Sequence, residues 1–135
     1  LVRDPRDVVL SYKKLTKHKA VNTKYAIWKW KDSINQLRFL QCKTDVLVVK
    51  YEHLVNSSND EVNRILEFIG LMKNENLVNL KNNAESMGVG TKYHHQNLNK
   101  PISNKSVGKW KEELSKEDID LIEEECGFLM KDFKY

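Results

Sequence analysis

The sequence is short of cysteine and proline and has no long hydrophobic run. Its 135 residues include two cysteines and two prolines. Cys42 and Cys126 lie far apart and lack the spacing of metal ligands, which favours two reduced thiols over a disulfide. No apolar run approaches the roughly 20 residues that a membrane-spanning helix needs. The length of 135 residues fits one domain, and 40% hydrophobic with 31% charged residues is typical of a globular protein.

The excess of positive charge is small. Lysine and arginine total 23 against 19 aspartates and glutamates, which gives a formal net charge of +4. A solvated lysine-rich surface explains this excess, so an anionic partner is permitted but not required.

Hydrophobic patterning predicts strands and helices in alternation. The pair Leu1-Val2 is typical of the end of a buried strand, and the run from Val46 to Val49 suits a strand buried on both faces. Asp7 is predicted to cap a first helix. Further helices are predicted over residues 22–41, from the capping-box pattern at Ser58–Glu61 to Gly70, more weakly over 75–86, and after the capping pattern Ser115–Asp118.

This order of elements predicts an α/β fold with a layered sheet. Two strands make a thin sheet, and the chain begins abruptly inside an expected strand. We therefore expect residues 1–135 to form a single domain that is the C-terminal fragment of a larger one.

The opening segment has the residues of an anion site. A helix amino end offers unpaired backbone N–H groups, and Arg3 can add a bidentate guanidinium that matches a phosphate. Ser11 lies eight residues further and can donate from its hydroxyl. The alternative is that Arg3 pairs with Asp4 or Asp7 while Ser11 lies on the helix surface.

Three segments together resemble the sulfotransferase superfamily, whose members take a sulfuryl group from 3′-phosphoadenosine 5′-phosphosulfate (PAPS). The matching segments are VRDPRDVVLSY, VVKYEHLVNSSNDEVNRILEFIGL and SVGKWKEELSKEDIDLIEEECGFLMKDFKY, in that order. The resemblance implies a three-layer parallel-sheet fold of the P-loop nucleoside-triphosphatase-like type, here without its N-terminal strands and phosphate loop.

The resemblance also implies cofactor-binding roles for four residues. Arg3 and Ser11 would hold the 3′-phosphate of PAPS, Tyr51 would contact the nucleotide near its adenine, and Lys109 would add charge from the loop before Trp110. The alternatives are a half-buried tyrosine at a strand end and an ordinary solvated lysine. Ser103-Asn104-Lys105 stands where the small-molecule branch of the family has Arg-Lys-Gly.

The residues that move the sulfuryl group are not expected in this chain. The sequence has no G-x-x-x-x-G-K-[ST] motif, and Gly88-Val89-Gly90 is interpreted as a turn because no buried strand precedes it. The adjacent pair His94-His95 has no accompanying acidic or cysteine cluster, so surface histidines are favoured. We predict no catalytic residue and no metal ligand here, and an isolated chain without activity.

The partners implied are the nucleotide and an unidentified acceptor with a hydroxyl or amine. An alternative is a non-enzymatic basic module for nucleic acid or nucleotide, with Trp28, Trp30, Tyr93 and Trp110 stacking on bases. Basic and acidic residues alternate instead of forming a stripe, so nucleic acid is not expected. A nucleotide-kinase-like fragment is a third alternative. The sequence assigns no oligomeric state and favours a cytoplasmic location, with the Golgi lumen as the alternative.

Overall fold

The computed structural model describes residues 1–15, 22–73 and 102–135. The chain divides into two compact units, one formed by Leu1–Val48 with Lys105–Tyr135 and the other by Val49–Asn104. The first unit contains α1 (Pro5–Leu15), α2 (Thr23–Gln41), α5 (Trp110–Glu113) and α6 (Lys116–Asp132). The second contains α3 (Tyr51–Asn56) and α4 (Ser58–Phe68).

The helices α2 and α6 of the first unit begin at side-chain caps. The Asn22 side chain accepts a hydrogen bond of 2.5 Å from the backbone N–H of Lys24 at the start of α2. Ser115 Oγ accepts one of 3.2 Å from the backbone N–H of Asp118 at the start of α6. Each cap satisfies a donor that has no partner inside its helix, and the one at Ser115 confirms the predicted capping position.

The core of the first unit lies where α1, α2 and α6 pack together. Ile27 and Trp30 are buried three residues apart on α2, which is a helical spacing, and Ile122 of α6 is fully buried. The remaining buried members of this cluster are Val2, Val9, Ala26, Ile34, Cys126, Leu129 and Met130. Burial of this one stripe on each helix is what stabilises the unit.

In the described part of the second unit, α4 follows α3 after a single residue. The side chain of Ser58 donates to the backbone carbonyl of Leu54 at 2.7 Å, and α4 has no side-chain cap at Ser57. The predicted capping box at Ser58 is therefore wrong, because this hydroxyl bonds back to the preceding helix. Gly70 adopts a positive φ of 75° directly after α4, which confirms that the helix ends there, and Leu71 N–H donates to Leu66 C=O at 2.8 Å.

The α/β fold class, with its three-layer parallel sheet of the P-loop type, stays a prediction. Within residues 1–15, 22–73 and 102–135 no continuous strand is present, and the expected strand at residues 46–49 leads directly into α3. A parallel strand is stabilised by neighbours on each side, so the hydrophobic run alone does not create one. The weak helix expected over 75–86 and the pair His94-His95 lie outside the described residues. The single-domain prediction also stays untested.

Candidate functional site

The amino end of α1 is built by Asp4 and Pro5. Asp4 Oδ1 accepts a hydrogen bond of 2.9 Å from the backbone N–H of Arg6, and the Asp4 carbonyl accepts one of 3.0 Å from Val8. Pro5 occupies the first helical position, where its missing N–H is no loss. The cap of α1 is therefore Asp4, and the expectation that Asp7 caps this helix is wrong, because the helix begins two residues earlier than Asp7.

Arg3 lies just before this helix and reaches a distant turn. Its Nη2 donates to the backbone carbonyl of Ser106 at 2.6 Å and lies 3.9 Å from Oδ2 of Asp7. Its own carbonyl accepts a hydrogen bond of 2.9 Å from Nε1 of Trp30. The side chain of Arg3 is 22% exposed, while its backbone carbonyl is held by Trp30 of the core.

Asp7 joins α1 to the turn formed by residues 106–110, hereafter the 106–110 turn. Its buried carboxylate accepts the backbone N–H of Gly108 at 2.7 Å through Oδ2 and that of Trp110 at 3.2 Å through Oδ1. Trp110 is the first residue of α5, so Asp7 satisfies a donor at the start of that helix. The carboxylate therefore holds the middle and the last residue of a turn about a hundred residues away in sequence.

Arg6 holds the same turn through an aromatic ring. Its guanidinium carbon lies 3.9 Å from the centroid of the Trp110 ring. Its Nη2 contacts Asp4 at 2.8 Å and its Nη1 contacts Glu123 at 2.9 Å. Burial alone would lower the pKa of the Arg6 guanidinium, but these two carboxylates outweigh burial and raise its pKa. Arg6 is therefore committed to structural contacts.

The structure brings together part of the predicted site. Arg3 contacts the 106–110 turn through the carbonyl of Ser106. Lys109 belongs to the same turn, directly precedes Trp110 and is exposed. Ser11 lies on α1, half-buried, in the same unit. Tyr51 is the half-buried first residue of α3 and belongs to the second unit. The structure thus joins Arg3 to the turn that carries Lys109, while the roles of these four residues stay predictions.

Sequence reasoning missed the contribution of Asp7 and Arg6 to the turn. The partners of these two residues lie more than a hundred positions away, and no local pattern reports such contacts. The available signal was their position: Arg6 and Asp7 lie between Arg3 and Ser11, the two residues of the opening motif that were predicted to bind phosphate.

The two cysteines differ in burial and reactivity. Burial raises the pKa of the Cys126 thiol to about 11, which makes it a poor nucleophile at neutral pH. Cys42 is exposed. In the part of the chain that the structure describes, no three His, Cys, Asp or Glu side chains cluster as metal ligands, and no helix is long and apolar enough to cross a membrane.

Comparison with protein families identifies the chain. The family model described as the sulfotransferase domain matches residues 1–134, which is nearly the whole sequence. The chain belongs to the sulfotransferase domain family, and the resemblance stated from its motifs is confirmed. Membership places it among transferases and implies a nucleotide co-substrate and an acceptor. Comparison with curated proteins and with solved structures gives no match.

Proposed function

We propose that this chain forms the 3′-phosphate side of a donor site for PAPS in a sulfotransferase that modifies a hydroxyl or amine. The observation that carries the proposal is the contact between Arg3 and the 106–110 turn. It joins the arginine of the opening motif to the loop before Trp110, the two segments to which the family resemblance gives the same phosphate. The proposed site residues are Arg3, Ser11, Tyr51 and Lys109.

The two arginines of the opening motif differ in a way that supports Arg3 as the ligand. Arg6 has close carboxylate partners on both sides and a ring beneath it. Arg3 has its carboxylate partner at 3.9 Å, the outer limit of an ion pair, and keeps a larger exposed fraction, 22% against 13%. The more exposed guanidinium of Arg3 is therefore the better candidate to donate to a phosphate, an anion that arginine side chains match well.

The chain holds the donor and does not transfer the group. When bound, PAPS supplies the activated sulfuryl group. Stabilising that group in transfer depends on positioned donors around it, and the 135 residues contain no phosphate-loop motif that would supply them. We expect the purified chain to bind the nucleotide without turnover.

The nucleic-acid alternative is less well supported by the aromatic residues. Trp30 is 5% exposed with its Nε1 bonded to Arg3, and the Trp110 ring is covered by Arg6. Only Trp28 among the three tryptophans is largely exposed, at 55%. Base stacking along a strand needs several accessible rings, so these positions favour a mononucleotide over a nucleic acid.

Replacing Arg3 tests the proposal. The probe is adenosine 3′,5′-bisphosphate, titrated into the chain and followed by NMR. A charge-assisted hydrogen bond contributes about 1.5–3 kcal/mol, so Arg3→Ala should raise the Kd roughly 10- to 150-fold. Ser11→Ala removes a neutral donor and should raise it by about 2- to 12-fold.

Arg38→Ala is the matched control, because Arg38 is a surface arginine of α2 paired with Asp132. It should leave the Kd unchanged. Equal affinity of the Arg3→Ala and wild-type chains for the bisphosphate would contradict the proposal, as would binding that depends steeply on salt and ignores the 3′-phosphate.

A further inference from the structure

The carboxylate of Asp7 is buried, although the formation of α1 does not require its burial. Asp7 lies in the first turn of α1, and its side chain is only 1% exposed. Acidic residues there ordinarily stay in solvent and act on the helix dipole. Burying a carboxylate is costly unless hydrogen bonds compensate, and here the compensation comes from Gly108 and Trp110 of the 106–110 turn. The turn and the carboxylate therefore depend on each other.

The conformation of the turn depends on a glycine at position 108. Gly108 has φ of +74°, which a residue with a side chain rarely adopts. The N–H of Gly108 points to Asp7 Oδ2, while the carbonyl of Ser106 accepts from Arg3. Asp7 also faces Arg3 at 3.9 Å, so the same carboxylate borders both the turn and the guanidinium.

We propose that Asp7 is a positioning residue of the donor site. Its carboxylate fixes the 106–110 turn against α1 before the nucleotide arrives, so that Arg3 and the turn meet the 3′-phosphate in one prepared arrangement. Because the turn is already ordered, less conformational entropy is lost when the nucleotide binds. Nucleotides that carry a 3′-phosphate should therefore bind more tightly. This inference rests on the proposed function, since it concerns the same phosphate.

Asp7→Asn is the principal variant, with two nucleotides as probes. It keeps the size of the side chain but turns one oxygen acceptor into a donor, which then faces a backbone N–H. Adenosine 3′,5′-bisphosphate and adenosine 5′-monophosphate are titrated separately by NMR. Amide hydrogen exchange of Gly108 and Trp110 is measured without nucleotide. Asp120→Asn is the matched control, because Asp120 is an exposed α6 carboxylate paired only locally with Lys116.

The positioning role predicts a selective loss. Asp7→Asn should weaken binding of the bisphosphate about tenfold, the loss of one charged hydrogen-bond partner. Binding of the monophosphate should change less than about twofold, because it has no 3′-phosphate to meet the turn. Exchange at Gly108 and Trp110 should speed up while Ile122 in the core keeps its protection. Asp120→Asn should match the wild type in all three measurements.

Gly108→Ala keeps the inference testable where Asp7→Asn fails to fold. A Cβ at Gly108 meets nothing within 4 Å, so the only strain is the positive φ. This variant disturbs the turn without touching the buried carboxylate. It should weaken binding of the bisphosphate at least about threefold and spare the monophosphate, since αL backbone strain shifts the turn population.

The outcomes separate the two proposals. A wild-type chain that prefers the bisphosphate, with both variants losing that preference, supports the positioning role. A preference kept in folded Asp7→Asn or, where that variant does not fold, in Gly108→Ala overturns the role of Asp7 and leaves the proposed function standing. A wild-type chain without any preference for the bisphosphate overturns the proposed function and the positioning role together. In that last case, faster amide exchange at Gly108 in Asp7→Asn would show that Asp7 stabilises the turn and has no role in nucleotide binding.

Discussion

Two regions of the first unit use charged residues in opposite ways. At the amino end of α1, Asp4 and Asp7 are buried, and each carboxylate accepts backbone N–H groups as well as facing an arginine. On the outer surfaces of α2 and α6, Arg38 pairs with Asp132 while both side chains are more than 40% exposed. Water screens the ion pair of Arg38 with Asp132. Asp4 and Asp7 are buried, where a charge without a partner would cost much free energy of folding.

The difference shows that burial decides what a charge contributes. Both regions contain arginines opposite aspartates, and the sequence alone does not rank them. The buried set fixes the backbone of α1 and of the 106–110 turn, so its loss should cost stability and binding. The exposed pair should contribute little to either. An intermediate case, Asp118, lies between them with 15% exposure and extends the comparison to a graded series.

The largest effect is expected from Asp4→Ala. The change removes the cap of α1 and leaves the Arg6 guanidinium, 13% exposed, with Glu123 as its remaining carboxylate contact among the described residues. Loss of the cap costs about 1 kcal/mol, and loss of the charged hydrogen bonds costs about 1.5–3 kcal/mol. We expect the free energy of unfolding in urea to fall by roughly 2–4 kcal/mol in total.

Asp4→Asn separates these two contributions. It keeps an oxygen that caps the helix but loses the charge opposite Arg6. It should fall between the wild type and Asp4→Ala. Wild-type stability in Asp4→Ala would contradict the claim that burial makes this carboxylate important.

A smaller and pH-dependent effect is expected from Asp118→Asn. Partial burial would raise the pKa of this carboxyl, but hydrogen bonds from Lys13 and Thr23 outweigh it and the pKa is lowered from the ordinary 3.8. A lowered folded pKa means that the unfolded chain binds more protons, so the contribution is fully present above about pH 4 and is lost as the pH falls through the folded pKa. Asp118→Asn should cost about 1–2 kcal/mol at pH 7.

Urea unfolding of wild type and Asp118→Asn at pH 7 and at pH 2.5 checks this expectation. The two chains should differ at pH 7 and approach each other at pH 2.5. A difference that stays constant over this range would show that Asp118 acts through shape and not through charge.

The smallest effect is expected from Arg38→Met. The guanidinium lies 5.9 Å from the Phe128 ring and pairs with Asp132, but both partners face solvent. An exposed pair contributes about 0–1 kcal/mol, and Met preserves most of the apolar contact. The free energy of unfolding should change by less than about 0.5 kcal/mol. A loss as large as that of Asp4→Ala would break the comparison between buried and exposed charges.

Much of the helical content was predictable from local patterns. The apolar stripes of α2 and α6 and the cap at Ser115 depend on residues within a few positions of one another, so spacing alone indicates them. The first turn of α1 was predicted less well. The sequence pattern predicts Asp7 as the cap, whereas the structure uses Asp4 as the cap and Pro5 as the first helical residue.

The sequence alone determined the family of this protein. The segments VRDPRDVVLSY and SVGKW, with the Tyr51 segment between them, carry chemistry at fixed spacing and led to the sulfotransferase assignment that the family match confirms. The layered sheet, the donor PAPS and the cellular location stay predictions from that resemblance.

Only the tertiary structure decided the different contacts and burial of Arg3, Arg6 and Asp7. All three are ionisable residues within five positions, and the local sequence does not indicate which distant segment each of them contacts. Packing of the 106–110 turn on α1 buries Asp7 against two backbone N–H groups, places the Arg6 guanidinium over Trp110 and leaves the side chain of Arg3 22% exposed. The physical reason is that desolvation and long-range hydrogen bonds depend on which distant segment covers a residue, and no local pattern contains that information.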